Sequence, residues 1–218
     1  MSEEYRFTTD WFTRHLDVWR PLTELVKPKK ILEIGSFEGR SATFMIEEAT
    51  KYNDEVEIHC VDTWLGSIEH GDTDFGAVEA RFWQNIKLAK QKVPGKKVNL
   101  TAHKGTSVEM LAKLVTEGHL GTFDWVLIDG SHIAVDVFYD SVLAFRLARV
   151  HAALIFDDYN VMDAPDLDNN LGFPKVAINA FGKIHAGKVA LIPMKDGATG
   201  RPFTEHDLYQ LYLTKTAE

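Results

Sequence analysis

Five short apolar runs, "KKILEIGS", "VEIHCVDTW", "VNLTAHKG", "FDWVLIDG" and "AALIFDDY", alternate along this chain with stretches of helical periodicity. The helical stretches are "GRSATFMIEEATKY", beginning near Gly39, then "FGAVEARFWQNIKLAKQK", "SVEMLAKLVTEG", and a segment from about Val135 to Arg149. Strands apolar on both faces and separated by helices predict a parallel sheet covered on both sides. After Pro174 the pattern changes. "PKVAINAFGKIHAG" reads as a helix, and "VALIPM" and "HDLYQLYLTK" follow with only the turn-rich "KDGATGRPFTE" between them. Two strands joined without a helix run antiparallel, so an α/β sandwich ending in a C-terminal antiparallel hairpin is expected. At the other end, "TDWFTRHLDVWRPLTELV" carries Phe12, Leu16, Trp19, Leu22 and Leu25 at helical spacing. This is a helical extension over residues 1–27, interrupted or kinked at Pro21.

The chain has 218 residues, 45% hydrophobic and 26% charged, which suits a single domain over residues 1–218 with a large core. No apolar run approaches the roughly 18 residues of a membrane span. The opening "MSEEYRFTTDWFTRHLDVWR" has no signal-peptide core. Cys60 stands alone inside a strand, which excludes an intramolecular disulfide framework and fits the reducing cytoplasm. The net charge is −8, and "KLAKQKVPGKK", Lys87 to Lys97, reads as the polar face and end of a surface helix. Without a dense basic stripe, nucleic acid is not an expected partner, nor is a membrane. A small-molecule substrate fits better, and a homo-oligomer is compatible with the sequence.

In a parallel sheet of this kind ligands bind beyond the carboxyl ends of the strands, near the point where strand order reverses. Glu33, Gly35, Asp62, Asp129, Asp157 and Asp158 all fall at such ends. "ILEIGSFEGRS" places Gly35 and Gly39 in a strand-to-helix turn, where glycine allows close backbone approach or positive φ. The spacing is neither the Gly-x-Gly-x-x-Gly dinucleotide fingerprint nor a P-loop, which disfavours a pyrophosphate cradle and a nicotinamide oxidoreductase. Asp62 could accept the hydrogens of a ribose diol. Alone it would say little, but beside the glycine loop it points to a nucleoside. In "HKGTSVEML", Gly105, Thr106 and Ser107 either cap a helix or meet an adenine edge.

The motifs "EIGSFEGRS", "CVDTWLGS", "DGSH" and "LIFDDY", in that order, resemble those of class I S-adenosylmethionine-dependent methyltransferases, over about residues 28 to 215. The resemblance implies a three-layer Rossmann-like sandwich with a mostly parallel seven-stranded sheet, the last strand antiparallel beside the sixth. It implies an S-adenosyl-L-methionine site built from Glu33, Gly35, Ser36, Gly39 and Ser41, with Asp62 on the ribose, Thr106 or Ser107 near adenine, and Asp129 adjoining. Trp64 belongs either to that site or to the core. Many members carry Gly-Gly before the fifth strand; "RVHAALIF" has His151, Ala152 and Ala153 there, in a turn expected to face away from the ligand.

Asp129, Asp157 and Asp158 are hard oxygen donors of the kind Mg²⁺ or Mn²⁺ takes. Close together without a cation they would repel one another. The alternative is that they bond backbone amides and turns. The set resembles metal-dependent O-methyltransferases of the catechol and macrolide-sugar type, in which the position of His132 holds a basic group that takes the acceptor's proton. Imidazole suits that role, although His132 could instead only orient Asp129. The segments 67–76 and 160–174 are either lids over the site or plain surface loops. The expected function is methyl transfer from S-adenosylmethionine to a small hydroxylated molecule, assisted by Mg²⁺. The rivals are a metal-independent methyltransferase and a non-catalytic S-adenosylmethionine-binding module.

Overall fold

A computed structural model describes residues 4–66, 74–161, 172–195, 200–202, 204 and 208–218. Five parallel strands, β1 (Lys30–Ile34), β2 (Glu55–Asp62), β3 (Lys97–Lys104), β4 (Phe123–Ile128) and β5 (Ala148–Phe156), join β6 (Val189–Leu191) and β7 (Leu211–Lys215) in one sheet. The spatial order is β3-β2-β1-β4-β5-β7-β6, with β7 antiparallel to both β5 and β6. The expected seven-stranded sheet with an antiparallel C-terminal pair is therefore present.

The central strands are apolar throughout because both of their faces are covered. In β4, Trp125 and Leu127 point into one core while Val126 and Ile128 point into the other. Helices α1 (Leu16–Val26), α2 (Arg40–Ala49) and α3 (Phe75–Lys92) close the first face through Trp19, Met45 and Phe82. Helices α4 (Ser107–Thr116), α5 (Ala134–Leu147) and α6 (Pro174–Ile184) close the second through Leu111, Phe145 and Phe181. Edge strand β3 has one buried residue, His103, and its other side chains are exposed or half-covered. Among the described residues, no helix is long and apolar enough to cross a membrane.

Two expectations need correction. Helix α1 is not interrupted at Pro21 but continues through it, after a 3-10 turn at Thr13–His15. The ring forfeits only one backbone donor, and the burial of Val18, Trp19 and Leu22 outweighs that loss. Second, "RVHAALIF" is not a turn ahead of the fifth strand. β5 begins at Ala148 and carries the irregularity inside itself: His151 has φ +70°, and the pairing with β4 shifts between Phe123 and Trp125. This is a bulge.

β1 pairs with β2 on one side and β4 on the other, so strand order reverses between β1 and β4. Backbone bonds then tie each strand end to the next. Gly35 N–H donates to Val61, Asp129 N–H to Ile34, and Asp157 N–H to Ile128, at 2.8, 2.8 and 3.0 Å. The predicted acids lie on this one rim.

Candidate active site

Glu33 ends its strand fully buried and anchors the loop that follows. Its carboxylate accepts the Ser36 hydroxyl at 2.6 Å and the Ser41 hydroxyl, with the Cys60 thiol 3.5 Å away. Burial pushes its pKa up to about 7, although the two serine hydroxyls pull it down. The loop then turns at Gly35, φ +83°. A Cβ there would stand 1.8 Å from the backbone oxygen of Asp129. Only glycine lets the β1 and β4 ends approach so closely.

Asp62 completes the loop from β2. One carboxylate oxygen accepts the Ser36 and Phe37 N–H groups at 2.8 Å each, and the other accepts Trp64 N–H at 2.7 Å. Phe37, Trp64 and Asp158 all have positive φ, at 45°, 48° and 54°. Strained backbone of this kind persists where surrounding bonds over-determine it, most often at functional sites.

These elements wall a cavity of about 730 Å³, a size suited to a cofactor together with a small substrate. Gly35, Ser36, Ser41, Asp62, Trp64, Thr106, Ser107, Asp129, His132, Asp157 and Asp158 line it. Glu33 and Gly39 stand behind the wall instead. Glu33 is occupied with the two serines, and Gly39, φ +78°, lets α2 begin against Phe82. Thr106 caps α4, accepting Glu109 N–H at 3.4 Å and donating to the Glu109 carboxylate at 2.8 Å. Trp64 belongs to both settings offered for it: it is buried against Phe82, donates to the Phe37 carbonyl at 3.0 Å, and still faces the cavity.

At the other end of the cavity, Asp129, His132 and Asp158 bring one donor atom each within 4.8 Å of one another. His132 Nε2 is 2.7 Å from the Asp158 carboxylate. Asp157 is turned differently. It accepts Gln210 Nε2 at 3.0 Å and Asp158 N–H at 2.9 Å, while Gln210 in turn accepts Trp19 Nε1 and the Tyr212 hydroxyl. Burial raises the Asp157 pKa, and the neighbouring charge of Asp158 raises it further. The rim therefore concentrates carboxylates at a real electrostatic cost.

One wall of the cavity was not read from the sequence. The segment before α1 crosses the site and contributes Phe7, Thr9, Trp11, Phe12, Arg14 and His15. It is strapped down by Glu38, which accepts Thr8 N–H at 2.7 Å and the Thr8 hydroxyl at 2.8 Å, and by Asn85, which exchanges bonds with the Arg6 backbone. Arg14 stacks on Tyr209 at 4.4 Å, and Trp11 packs on Phe37 at 5.4 Å. His15 is buried nearby. Desolvation first, then Arg14, pushes its pKa down to about 4, against the pull of Asp158. The density of aromatic residues in "YRFTTDWF" was the available signal. The segments at 67–76 and 160–174 lie mostly outside the described residues.

The raised pKa of Glu33 fixes the sign of a pH dependence. Between its ordinary 4.5 and about 7 the folded chain holds a proton that the unfolded chain has lost. This group's contribution is therefore complete below pH 4.5 and disappears as pH rises towards 7. At about 1.4 kcal/mol per unit, the shift amounts to roughly 3 kcal/mol. In urea melts Glu33→Gln should gain on the wild type across that window, up to this amount, and then hold level. A constant difference between the two proteins would show that Glu33 is not the group titrating.

Comparison with known proteins gives the family. A family model described as a methyltransferase domain matches residues 32–159, and the chain belongs to that family, as an S-adenosylmethionine-dependent methyltransferase. Among curated proteins it is 27% identical over 213 residues to the "Probable caffeoyl-CoA O-methyltransferase 1" of Dictyostelium discoideum, covering 91% of this chain and 83% of that one. Two solved structures share the fold. The O-methyltransferase TomG of Streptomyces achromogenes, in complex with SAM, has a TM-score of 0.64 at 17% identity, over 95% of this chain and 82% of that one. The O-methyltransferase of Bacillus cereus, in complex with SAH, has a TM-score of 0.62 at 15% identity, over 96% and 84%.

Proposed function

We propose that this methyltransferase, working as one domain over residues 1–218, acts on a hydroxyl oxygen of a small molecule with the help of a divalent cation. The observation that carries the reading is the convergence of Asp129, His132 and Asp158 in the cavity that also holds the Gly35 loop and Asp62. The donor chemistry fits Mg²⁺ or Mn²⁺: Asp129 and Asp158 offer carboxylate oxygens, while Asp157, turned towards Gln210, adds its charge to the rim and not a ligand atom. A cation there would offset the repulsion from Asp158 that adds to burial in raising the Asp157 pKa. The named activity of the Dictyostelium relative, an O-methyltransferase, agrees with an oxygen acceptor.

S-adenosylmethionine supplies a methyl carbon made electrophilic by its sulfonium, and a divalent cation supplies positive charge that eases ionisation of an acceptor hydroxyl. The chain's own residues do the rest. Three of the roughly four acceptor positions on a carboxylate are already used by Asp62 for the loop amides. It shapes the loop first and retains about one position for a ribose hydroxyl. Ser36, Ser41, Thr106 and Ser107 offer hydroxyls along the same wall, while Gly35 admits the ligand close to the backbone. His132 takes the acceptor proton at Nδ1, while its Nε2–H donates to Asp158, which orients the ring. Trp11 and Phe7 shield the reacting atoms from water and align the acceptor. Buried Cys60, without a disulfide, fits work in a reducing cytoplasm.

A metal-independent reading has one observation in its favour. His132 and Asp158 already form a pair at 2.7 Å, and a His–Asp pair can take a proton without a cation. The two separate in one experiment. Purified protein is given labelled S-adenosylmethionine and a panel of catechols, sugars and hydroxylated aromatics, first in excess EDTA and then with Mg²⁺ restored. The proposal expects methylation of an oxygen that stops in EDTA and returns with Mg²⁺. Undiminished turnover in EDTA removes the cation from the mechanism.

A further inference from the structure

A second group of ligating side chains lies towards the other end of the strands. Glu57 and His59 are two residues apart on β2 and so share one face. His119, between α4 and β4, closes over them, its ring 5.0 Å from that of His59. Glu57, His59 and His119 each bring a donor atom within 4.8 Å of the others. None of them lines the cavity. Five residues of strand separate Glu57 from Asp62, about 16 Å at 3.3 Å per residue.

We propose that Glu57, His59 and His119 form a binding site for a divalent metal of the zinc class, separate from the methyl-transfer site. Two imidazoles and one carboxylate make a ligand set for a borderline cation such as Zn²⁺, not for Mg²⁺, which takes oxygen.

The polar contacts already have the orientation that such an ion needs. Lys30 Nζ stands 2.8 Å from His119 Nδ1 and 3.1 Å from Glu57 Oε1. An ammonium only donates, so His119 Nδ1 presents a lone pair to the centre of the group. A cation thus already occupies the gap between these two ligands, carried on a flexible side chain that is 19% exposed. A metal ion displaces it towards solvent. His59 Nε2 points at Glu57 Oε1, 2.7 Å away, and its Nδ1 is 2.9 Å from His103 Nε2. With Nε2 giving its lone pair to a metal, Nδ1–H donates to His103, whose ring stacks on that of His59 at 12°. Metal-bound histidines use a partner of this kind to fix ring and tautomer. The ion would tie β2 to the α4–β4 connection, so its readout is stability and not turnover.

The test uses the full-length protein, stripped with chelator and carrying Asp158→Asn to weaken the rim group. Zn²⁺ alone is titrated in at neutral pH and followed by calorimetry and by thermal melting. One equivalent should bind and raise Tm. His119→Ala and Glu57→Gln should each weaken binding by at least roughly tenfold and abolish the rise in Tm. Lys30→Met should tighten binding, because no ammonium then competes. Co²⁺ in place of Zn²⁺ should give the visible absorption of a four-coordinate site, lost in His119→Ala. His119 is only partly buried, so its truncation leaves a folded chain to measure. No binding, binding indifferent to His119 and Glu57, or weaker binding in Lys30→Met would each overturn the site.

Discussion

Gly35→Ala is expected to abolish S-adenosylmethionine binding and to destabilise the protein more than any other single methyl addition at the rim. The added Cβ would stand 1.8 Å from the Asp129 carbonyl oxygen and 2.5 Å from its carbon. Both are backbone atoms, so no rotamer change relieves the contact. The two strand ends cannot simply part either, because Asp129 N–H is bonded to Ile34 and Gly35 N–H to Val61. A left-handed φ of +83° adds about 1–2 kcal/mol for a residue with a side chain. Together these effects place the cost at about 4 kcal/mol or more, in the range reserved for core or backbone disruption. At about 2–4 °C per kcal/mol for a chain of this size, Tm should fall by roughly 8–16 °C.

Gly95→Ala supplies the control. Gly95 has nearly the same φ, +81°, but open space where its Cβ would go. It should lose only the conformational part, about 1–2 kcal/mol, and keep full affinity for the methyl donor. If Gly35→Ala lost no more than Gly95→Ala, the close approach of β1 and β4 would not be what the glycine secures.

The contrast between these glycines bears on what could be read from the chain. Period and composition were enough to place the strands, because a strand covered on both faces must be apolar throughout, as β4 is. The strand-end acids followed from Asp62, Asp129, Asp157 and Asp158 closing their runs. Side-chain direction was not legible in the same way. Glu33 and Asp62 both look like ligand-facing acids in sequence. Yet Glu33 turns into the core to hold Ser36 and Ser41, while Asp62 turns outward under the loop. Asp157 and Asp158 are adjacent, but a positive φ at Asp158 sends them apart, one to Gln210 and the other to His132. Gln210 lies more than fifty residues from Asp157, immediately before a strand whose pattern says nothing of which strand end it meets. The N-terminal wall escaped for a related reason. Thr8, Arg6 and Arg14 are held by contacts with Glu38, Asn85 and Tyr209 that no local pattern announces.

The pair of His132 and Asp158 gives the second large expected effect. If His132 takes the acceptor proton, His132→Ala should lower kcat by about 10²–10⁴, with little change in affinity for S-adenosylmethionine, whose wall it does not build. Added Mg²⁺ should not restore the loss, because the missing function is a base. Asp158→Asn should behave differently. It removes a carboxylate donor while leaving an amide that can still accept from His132, so its deficit should shrink as Mg²⁺ is raised. A metal-free His–Asp mechanism reverses that pattern, because Asp158 would then serve only to orient the imidazole. Asp158→Asn would lose activity at every Mg²⁺ concentration alike, and EDTA would leave the wild type untouched. Measuring both variants across a Mg²⁺ series therefore assigns the base and the cation separately. Full activity in His132→Ala would leave proton removal to another group or to solvent, and the rim acids would then act on charge and position alone.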